Sequence, residues 1–357
     1  MRRDAERLAE DAMLRDSARA FLSERCPWTH LRRTPEELDR IRGEAAELGW
    51  FMMGLPEAAG GAGSDLEQIL ALIEEAGRAL HPESLVADLI LAPAVLPPES
   101  LLLPLLAEGK TRFCFVRDGV AIAGSRSDAV SLNGTGNLSL GADRATHAIV
   151  AVDGDEPALL VVPVPWGTSR VVRLIDGRSA ARIVFEGSRS EDGAVLARGA
   201  EAREMIALLD DLAATAAVFD AVGAVAGGIE LTVDYLNQRR QFGQTLGAFQ
   251  AVRHKMAEVY CSLETLRSLA MWSAAAIAAK APERSKAANA AKIGLAVHGL
   301  PAAGKMIQVS GGIGVTEEYR IGHVYKRLTV AAGLDGSAET RIEEFATAIL
   351  GEGEQAR

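Results

Sequence analysis

The stretch Tyr235-Leu236-Asn237-Gln238-Arg239-Arg240-Gln241-Phe242-Gly243-Gln244-Thr245-Leu246-Gly247-Ala248-Phe249-Gln250 joins two long helical patterns. Upstream, residues 205–238 keep a helical spacing of apolar positions, and downstream that spacing resumes at Phe249-Gln250 and holds to residue 280. Between them Arg239 is followed three residues later by Phe242-Gly243, an aromatic–glycine pair that reads as a turn. By composition alone this is a basic surface hairpin between two helices. Inside the upstream helix sit Gly223, Gly227 and Gly228. Glycines there cost helix propensity, so their spacing predicts a face against which another helix packs closely. A third helical segment covers residues 283–310.

Towards the N-terminus, residues 4–24 place Leu8, Ala12, Leu14, Ala18, Phe21 and Leu22 at helical spacing. A second helix fits 35–48, with Thr34 as N-cap, Pro35 in the first turn and Glu37 completing a capping box; Gly49 ends it. After a Gly/Ala-rich loop at 55–64, Ser64 is predicted to start a helix running to about Leu80, closed by His81-Pro82. From Lys110 the character changes. Short β-branched or aromatic runs at 111–116, 120–122, 129–132, 148–152, 159–164 and 182–185 are separated by turn residues, Asn133-Gly134 among them. The order predicts a mainly α chain with a small β domain. It consists of an N-terminal helical domain at 1–108, a middle antiparallel β domain at 109–198 and a C-terminal four-helix-bundle-like domain at 199–357.

Lys+Arg 38 against Asp+Glu 48 leaves a net charge of −10 on 357 residues. That balance argues against nucleic acid or an anionic membrane as partner, because both need a positive surface. Cys26, Cys114 and Cys261 are odd in number and far apart, with no CxxC pair, so neither a disulfide framework nor a zinc ribbon is expected. The charged start, Met1 to Arg7, lacks the apolar core of a signal peptide, and the greasiest region, 84–106, is broken by Asp88 and four prolines. A cytoplasmic location is expected. Gly299-Leu300-Pro301-Ala302-Ala303-Gly304-Lys305 has phosphate-loop spacing, but Met306 stands where a hydroxyl would hold Mg²⁺ and the segment reads as helix. Gly311-Gly312-Ile313-Gly314 lacks the third glycine and the preceding strand of a dinucleotide fingerprint; alone it reads as a helix C-cap and turn. No hydrolase triad or metal-ligand spacing is present.

The Arg239–Phe242-Gly243–Phe249-Gln250 spacing, followed some 66 residues on by Gln308-Val309-Ser310-Gly311-Gly312-Ile313-Gly314, resembles the acyl-CoA dehydrogenase family. Leu48-Gly49-Trp50, Leu55-Pro56-Glu57, Gly60-Gly61-Ala62-Gly63 and Glu74-Glu75-Ala76-Gly77-Arg78-Ala79-Leu80 look like its N-terminal domain. The resemblance implies a flavoprotein in which FAD lies between subunits, its ADP half gripped by the C-terminal domain of a neighbouring chain. Arg239 would then meet the pyrophosphate, Phe242-Gly243 would shape the turn, and Gln308 with the Gly311-Gly312 backbone would contact the adenosine end. Ser337 and, through the backbone, Leu138 and Ser139 are the remaining cofactor-binding candidates by resemblance.

Two family features are altered. The segment that normally holds the isoalloxazine, Thr-Glu-Pro-x-x-Gly-Ser-Asp-like, is replaced by a shortened Phe113-Cys114-Phe115-Val116-Arg117-Asp118-Gly119-Val120, and the second flavin turn by Gly136-Asn137-Leu138-Ser139-Leu140-Gly141. The catalytic glutamate, which takes the pro-α proton while hydride leaves Cβ, falls on Asp335 in Leu334-Asp335-Gly336-Ser337. A carboxylate suits that role, yet Asp is shorter by about 1.5 Å of reach. The alternative position for a base, on the helix before the hairpin, holds Ala213, with Ala214 beside it and Asp210 and Asp211 about one turn away.

Three readings stay open. The chain is an acyl-CoA dehydrogenase passing electrons to an electron-transfer flavoprotein, with fatty-acid or steroid side-chain degradation as context. It is instead a non-catalytic or half-catalytic subunit lending Arg239 and Gln308 to a partner's FAD, in a homo- or hetero-oligomer built as a dimer of dimers. The third is a flavin monooxygenase on the same fold.

Overall fold

The structure, a computed structural model, describes residues 2–27, 33–126, 129–164, 170–189, 194–334 and 336–355. It separates into two compact units, one formed by Met1–Leu31, Leu70–His81 and Ala214–Arg357, the other by Arg32–Ile69 and Pro82–Ala213.

The first unit is helical. It contains α1 (Arg2–Arg25), most of α3 (Leu66–Arg78), the greater part of α6 (Gly199–Gln238), α7 (Gln250–Ala278), α8 (Arg284–Gly294), α9 (Leu300–Ser310), α10 (Ile321–Gly333) and α11 (Ala338–Gln355). Glycines let α3 and α6 cross backbone to backbone: a Cβ on Gly77 would lie 2.0 Å from the Asp220 carbonyl, and one on Gly223 1.8 Å from the Glu74 carbonyl. Beside this crossing, Glu74 and Glu75 are each 1% exposed. Arg15 and Arg267 reach Glu74 at 2.9 and 2.6 Å, and Arg15, Arg19 and Arg78 reach Glu75 at 2.9, 2.7 and 3.2 Å. Burial alone would push the Glu75 carboxyl up; hydrogen bonds from Arg19 and Arg15 and the Arg78 charge outweigh it and hold the group below the usual carboxylate range. The α6 helix is long and apolar enough to cross a membrane by length and composition, but 78% of that window is buried, as in a core helix.

The run read as one helix over 283–310 is two helices joined by a π-type turn at Leu295–Gly299, with Pro301 in the first turn of α9. A proline cannot donate to the preceding turn and clashes with the carbonyl four residues back, so the wider i→i+5 turn accommodates it. Pro93 is preceded by a similar turn at Ala87–Leu91. The phosphate-loop lookalike lies within these helical turns.

The second unit holds α2 (Pro35–Glu47), α4 (Ala92–Val95), α5 (Leu102–Ala107) and the small β region. The predicted capping box is present: Glu37 N donates to Thr34 Oγ1 at 3.3 Å, and Thr34 N donates to Glu37 Oε2 at 2.8 Å. Asp65, rather than Ser64, caps α3, accepting from Gln68 N at 3.0 Å. The strands are β1 (Phe113–Val116), β2 (Val120–Arg126), β3 (Ala129–Thr135), β4 (Ser139–Leu140), β5 (His147–Val152), β6 (Ala158–Pro163), β7 (Arg170–Arg173), β8 (Ser179–Arg182), β9 (Val184–Arg189) and β10 (Ala194–Arg198). They form sheets ordered β1-β5-β6-β10, β2-β3-β9 and β4-β8-β7. All pairs are antiparallel except β1 with β5, which the strand pattern of the sequence does not reveal. Asn133-Gly134 is not a turn. It lies inside β3, where a Cβ on Gly134 would meet the Gly119 carbonyl at 2.2 Å. One buried ion pair ties α2 to the start of β1. Arg42 donates to Asp88 at 2.7 Å, to the Gly109 carbonyl at 2.8 Å and to the Thr111 carbonyl at 2.6 Å, while Asp88 accepts from Phe113 N at 2.7 Å.

Candidate functional site

In the helical unit, the segment between α6 and α7 is a two-strand hairpin, β11 (Arg240–Gln241) against β12 (Gln244–Thr245), closed by Phe242-Gly243. Phe242 has φ 52° and Gly243 φ 82°. Positive φ at both central positions is the type I′ turn that matches strand twist, and its first position normally falls to Asn, Asp or Gly. A phenylalanine there is held against about 1–2 kcal/mol of steric cost. Yet its ring is 91% exposed, touching Phe249 edge-on at 6.3 Å. A strained aromatic turned to solvent makes this turn a candidate contact surface. Phe242→Gly is therefore expected to leave stability within about 1 kcal/mol of wild type, since relief of strain offsets glycine's chain entropy. The same change should lower flavin retention about tenfold (about 1.4 kcal/mol). Thermal melting and bound-flavin absorbance read the two effects separately.

Arg239 directly follows α6, its carbonyl accepting from Leu246 N at 2.8 Å. Its side chain is exposed and has no carboxylate within 4.0 Å among the described residues. Gln308 lies in the last turn of α9 and accepts from Lys255 Nζ of α7 at 2.7 Å. Gly311 then takes φ 69° and ψ −146°, a conformation open only to glycine, and a Cβ on Gly312 would meet nothing within 4 Å. Gly314 is glycine for packing, since a Cβ there would lie 2.7 Å from the Ile307 carbonyl. The helix-cap reading of this segment and the open approach at Gly311-Gly312 thus both hold.

Ser337 caps α11, accepting from Thr340 N at 3.3 Å. Asp335 lies outside the described residues. What precedes it is firmly anchored: Lys292, 1% exposed, donates to the Ala331 and Leu334 carbonyls at 2.6 Å each.

The β-containing unit carries the other two candidates. Ser139 is buried and donates its hydroxyl to the Phe115 carbonyl at 2.6 Å, leaving only its backbone for a ligand; Leu138 is half-buried next to it. Arg117 follows β1 directly. Its Nε sits 2.9 and 2.8 Å from the two Asp210 oxygens, and Nη1 contacts Asp153 and Asp118. The carboxylates Asp210 and Asp153 outweigh burial and hold the guanidinium charged.

Residues 9–95 match the family model for the acyl-CoA dehydrogenase N-terminal domain, and residues 211–350 match that for its C-terminal domain. This chain belongs to the acyl-CoA dehydrogenase family. Among curated relatives, the acyl-CoA dehydrogenase FadE34 of Mycobacterium tuberculosis is 30% identical over 79% of this chain and 38% of that protein, so the chain spans less than half of that relative's length. Among solved structures, the Tcur3481-Tcur3483 steroid acyl-CoA dehydrogenase G363A variant superposes with a TM-score of 0.85 at 25% identity, covering 97% of this chain and 99% of that one. The Mycobacterium tuberculosis ChsE4-ChsE5 complex shares the fold, with a TM-score of 0.84 at 19% identity over 95% of this chain and 97% of that one.

FAD is the cofactor of acyl-CoA dehydrogenases. Arg239, Phe242 and Gly311-Gly312 fit its nucleotide end chemically: a cation with no carboxylate within 4.0 Å among the described residues, an exposed aromatic and a glycine pair whose added Cβ atoms would meet nothing within 4 Å. At the other end, Ser139 spends its hydroxyl on the Phe115 carbonyl and Arg117 is paired with Asp210 and Asp153, so of these groups only the Leu138-Ser139 backbone is left as a candidate for the flavin ring. Sequence reasoning missed Lys255, Lys292 and Arg117 as site-shaping groups. Only Arg117 left a trace in the sequence, as an arginine inside the segment that departs from the family.

Proposed function

We propose that this chain serves α,β-dehydrogenation of an acyl-CoA thioester as the FAD-sharing subunit of a hetero-oligomer, lending its nucleotide grip to a flavin seated on a partner chain. One observation carries the reading: the strained, solvent-facing Phe242 hairpin beside Arg239, which has no carboxylate within 4.0 Å among the described residues, on a chain whose 113–120 segment departs from the family's flavin-ring motif. Arg239 would neutralise the diphosphate, Gln308 would donate to the nucleotide, and Gly311-Gly312 would let it approach the backbone. Bound flavin would supply the acceptor for the hydride from Cβ, and a partner-chain carboxylate the acceptor for the Cα proton, so that the Cα–Cβ bond becomes double. A steroid-bearing acyl group is the substrate class supported by the likeness to the Tcur3481-Tcur3483 steroid acyl-CoA dehydrogenase. An electron-transfer flavoprotein as acceptor, a dimer of dimers and a cytoplasmic setting complete the reading.

A second reading keeps the whole reaction on this chain, with Asp335 taking the pro-α proton. Lys292 donates to the carbonyl of Leu334, the last described residue before that position. Acyl-CoA-dependent dye reduction separates the two. The shared-site reading expects none from the chain alone and turnover once a glutamate-bearing dehydrogenase chain is co-assembled. Turnover by the isolated chain, abolished by Asp335→Asn, would establish the second reading instead.

A further inference from the structure

Two polar rungs join α7 to α9. Lys255 Nζ donates to Gln308 Oε1 at 2.7 Å, and Lys305 Nζ donates to Glu258 Oε2 at 2.7 Å. On each helix the two positions are three residues apart, so the rungs stack along one antiparallel seam. They differ in charge balance. Lys305 neutralises Glu258, whose carboxyl is held below the usual range by that bond, by the Lys305 charge and then by Lys255 and His254. Lys255 donates to a neutral amide, so its charge meets Glu258 only through space and is not neutralised by a direct ion pair.

The bond also fixes which way Gln308 points. An ammonium only donates, so the carboxamide must present Oε1 to Lys255 and turn its Nε2 donors away. Without that constraint the amide is free to flip and to offer either a donor or an acceptor. Nearby cations add to the field. Arg239, Arg240, Arg253 and Lys255 all lie at the hairpin or the start of α7, and none has a carboxylate within 4.0 Å among the described residues. On a chain of net charge −10 this is a local reversal of sign, reinforced by the positive end of the 29-residue α7.

We propose that Lys255 is a positioning residue of the nucleotide grip: it locks the Gln308 amide as a donor and adds charge complementary to a nucleoside diphosphate. The inference deepens the proposed function and rests on it. Lys255 acts through Gln308, so removing both should cost less than the product of the separate losses. The Lys305–Glu258 rung remains in every variant and holds the seam.

The test is ADP binding by calorimetry to the full chain, for wild type, Lys255→Met, Lys255→Arg, Gln308→Met, the Lys255→Met/Gln308→Met double variant and Arg239→Met, with melting temperatures alongside. Lys255→Met and Gln308→Met are each expected to weaken ADP about tenfold (about 1.4 kcal/mol) with unchanged melting. Lys255→Arg should stay within about threefold of wild type, and the double variant should lose well under a hundredfold. If Arg239→Met weakens ADP while Lys255→Met does not, the Lys255 role is overturned and the proposed function stands. Equal loss in Lys255→Arg and Lys255→Met, tracking lowered melting, overturns it as well by showing a structural role. Indifference of ADP to Arg239→Met, or no ADP binding by wild type, overturns both.

Discussion

Asp88→Ala is expected to destabilise the protein by about 3–5 kcal/mol, the range for removing one partner of a buried ion pair. The size follows from what is left behind. Arg42 is 5% exposed, and losing Asp88 leaves its guanidinium without its directly bonded carboxylate, held by the Gly109 and Thr111 carbonyls, the face of Phe51 4.1 Å away and the through-space charge of Glu83. The Phe113 N–H that opens β1 loses its acceptor at the same time. Melting should fall by about 4–7 °C if the chain unfolds as one unit, since its length sets the shift at a little over ~1 °C per kcal/mol. Replacing both members, Arg42→Met with Asp88→Leu, should recover part of the loss, because neither member is then left unpaired, while the partly buried Glu83 stays nearby with Arg112 and Arg144. A urea titration in which Asp88→Ala moves stability by under about 1 kcal/mol would show that water reaches the pair.

Arg239→Glu is the second large change, and it acts on binding. Arg239 is exposed at the end of α6, and its side chain forms no ion pair among the described residues, so the fold should be indifferent. Against a diphosphate, attraction becomes repulsion, and a loss of at least about 10²-fold in flavin affinity is expected (about 2.7 kcal/mol). Flavin fluorescence titration of the assembled protein reads this directly, with circular dichroism as the folding control. Lost flavin with an unchanged melt supports the assignment; unchanged flavin affinity removes Arg239 from the site.

What the sequence made legible was mostly local. The Thr34 capping box and the arginine–aromatic–glycine hairpin are written in neighbouring residues, and each appears at the predicted place. Gly223 announced a close packing face through its cost to the helix, and its partner is the Glu74 carbonyl. Non-local contacts were hidden. The parallel β1–β5 pair joins strands more than thirty residues apart, and no turn residue marks it. Asn133-Gly134 looked like a hairpin turn because the dipeptide commonly is one; here Gly134 serves a backbone approach within β3 instead. Lys255 shows no motif of its own, since its meaning comes only from the register of α7 against α9.

The candidate site divides along the same line. Arg239, Phe242, Gln308 and Gly311 were readable because a motif ties them together in sequence. Arg117 was not, because Asp153 and Asp210 reach it from β5–β6 and α6 through the fold.

Flavin content per polypeptide, measured from the absorbance of the purified protein with and without a co-expressed dehydrogenase partner, addresses the shared-cofactor account most directly. The account predicts little or no yellow colour in the chain alone and about one FAD per pair of chains in the hetero-assembly. One FAD on every copy of the isolated chain would contradict it.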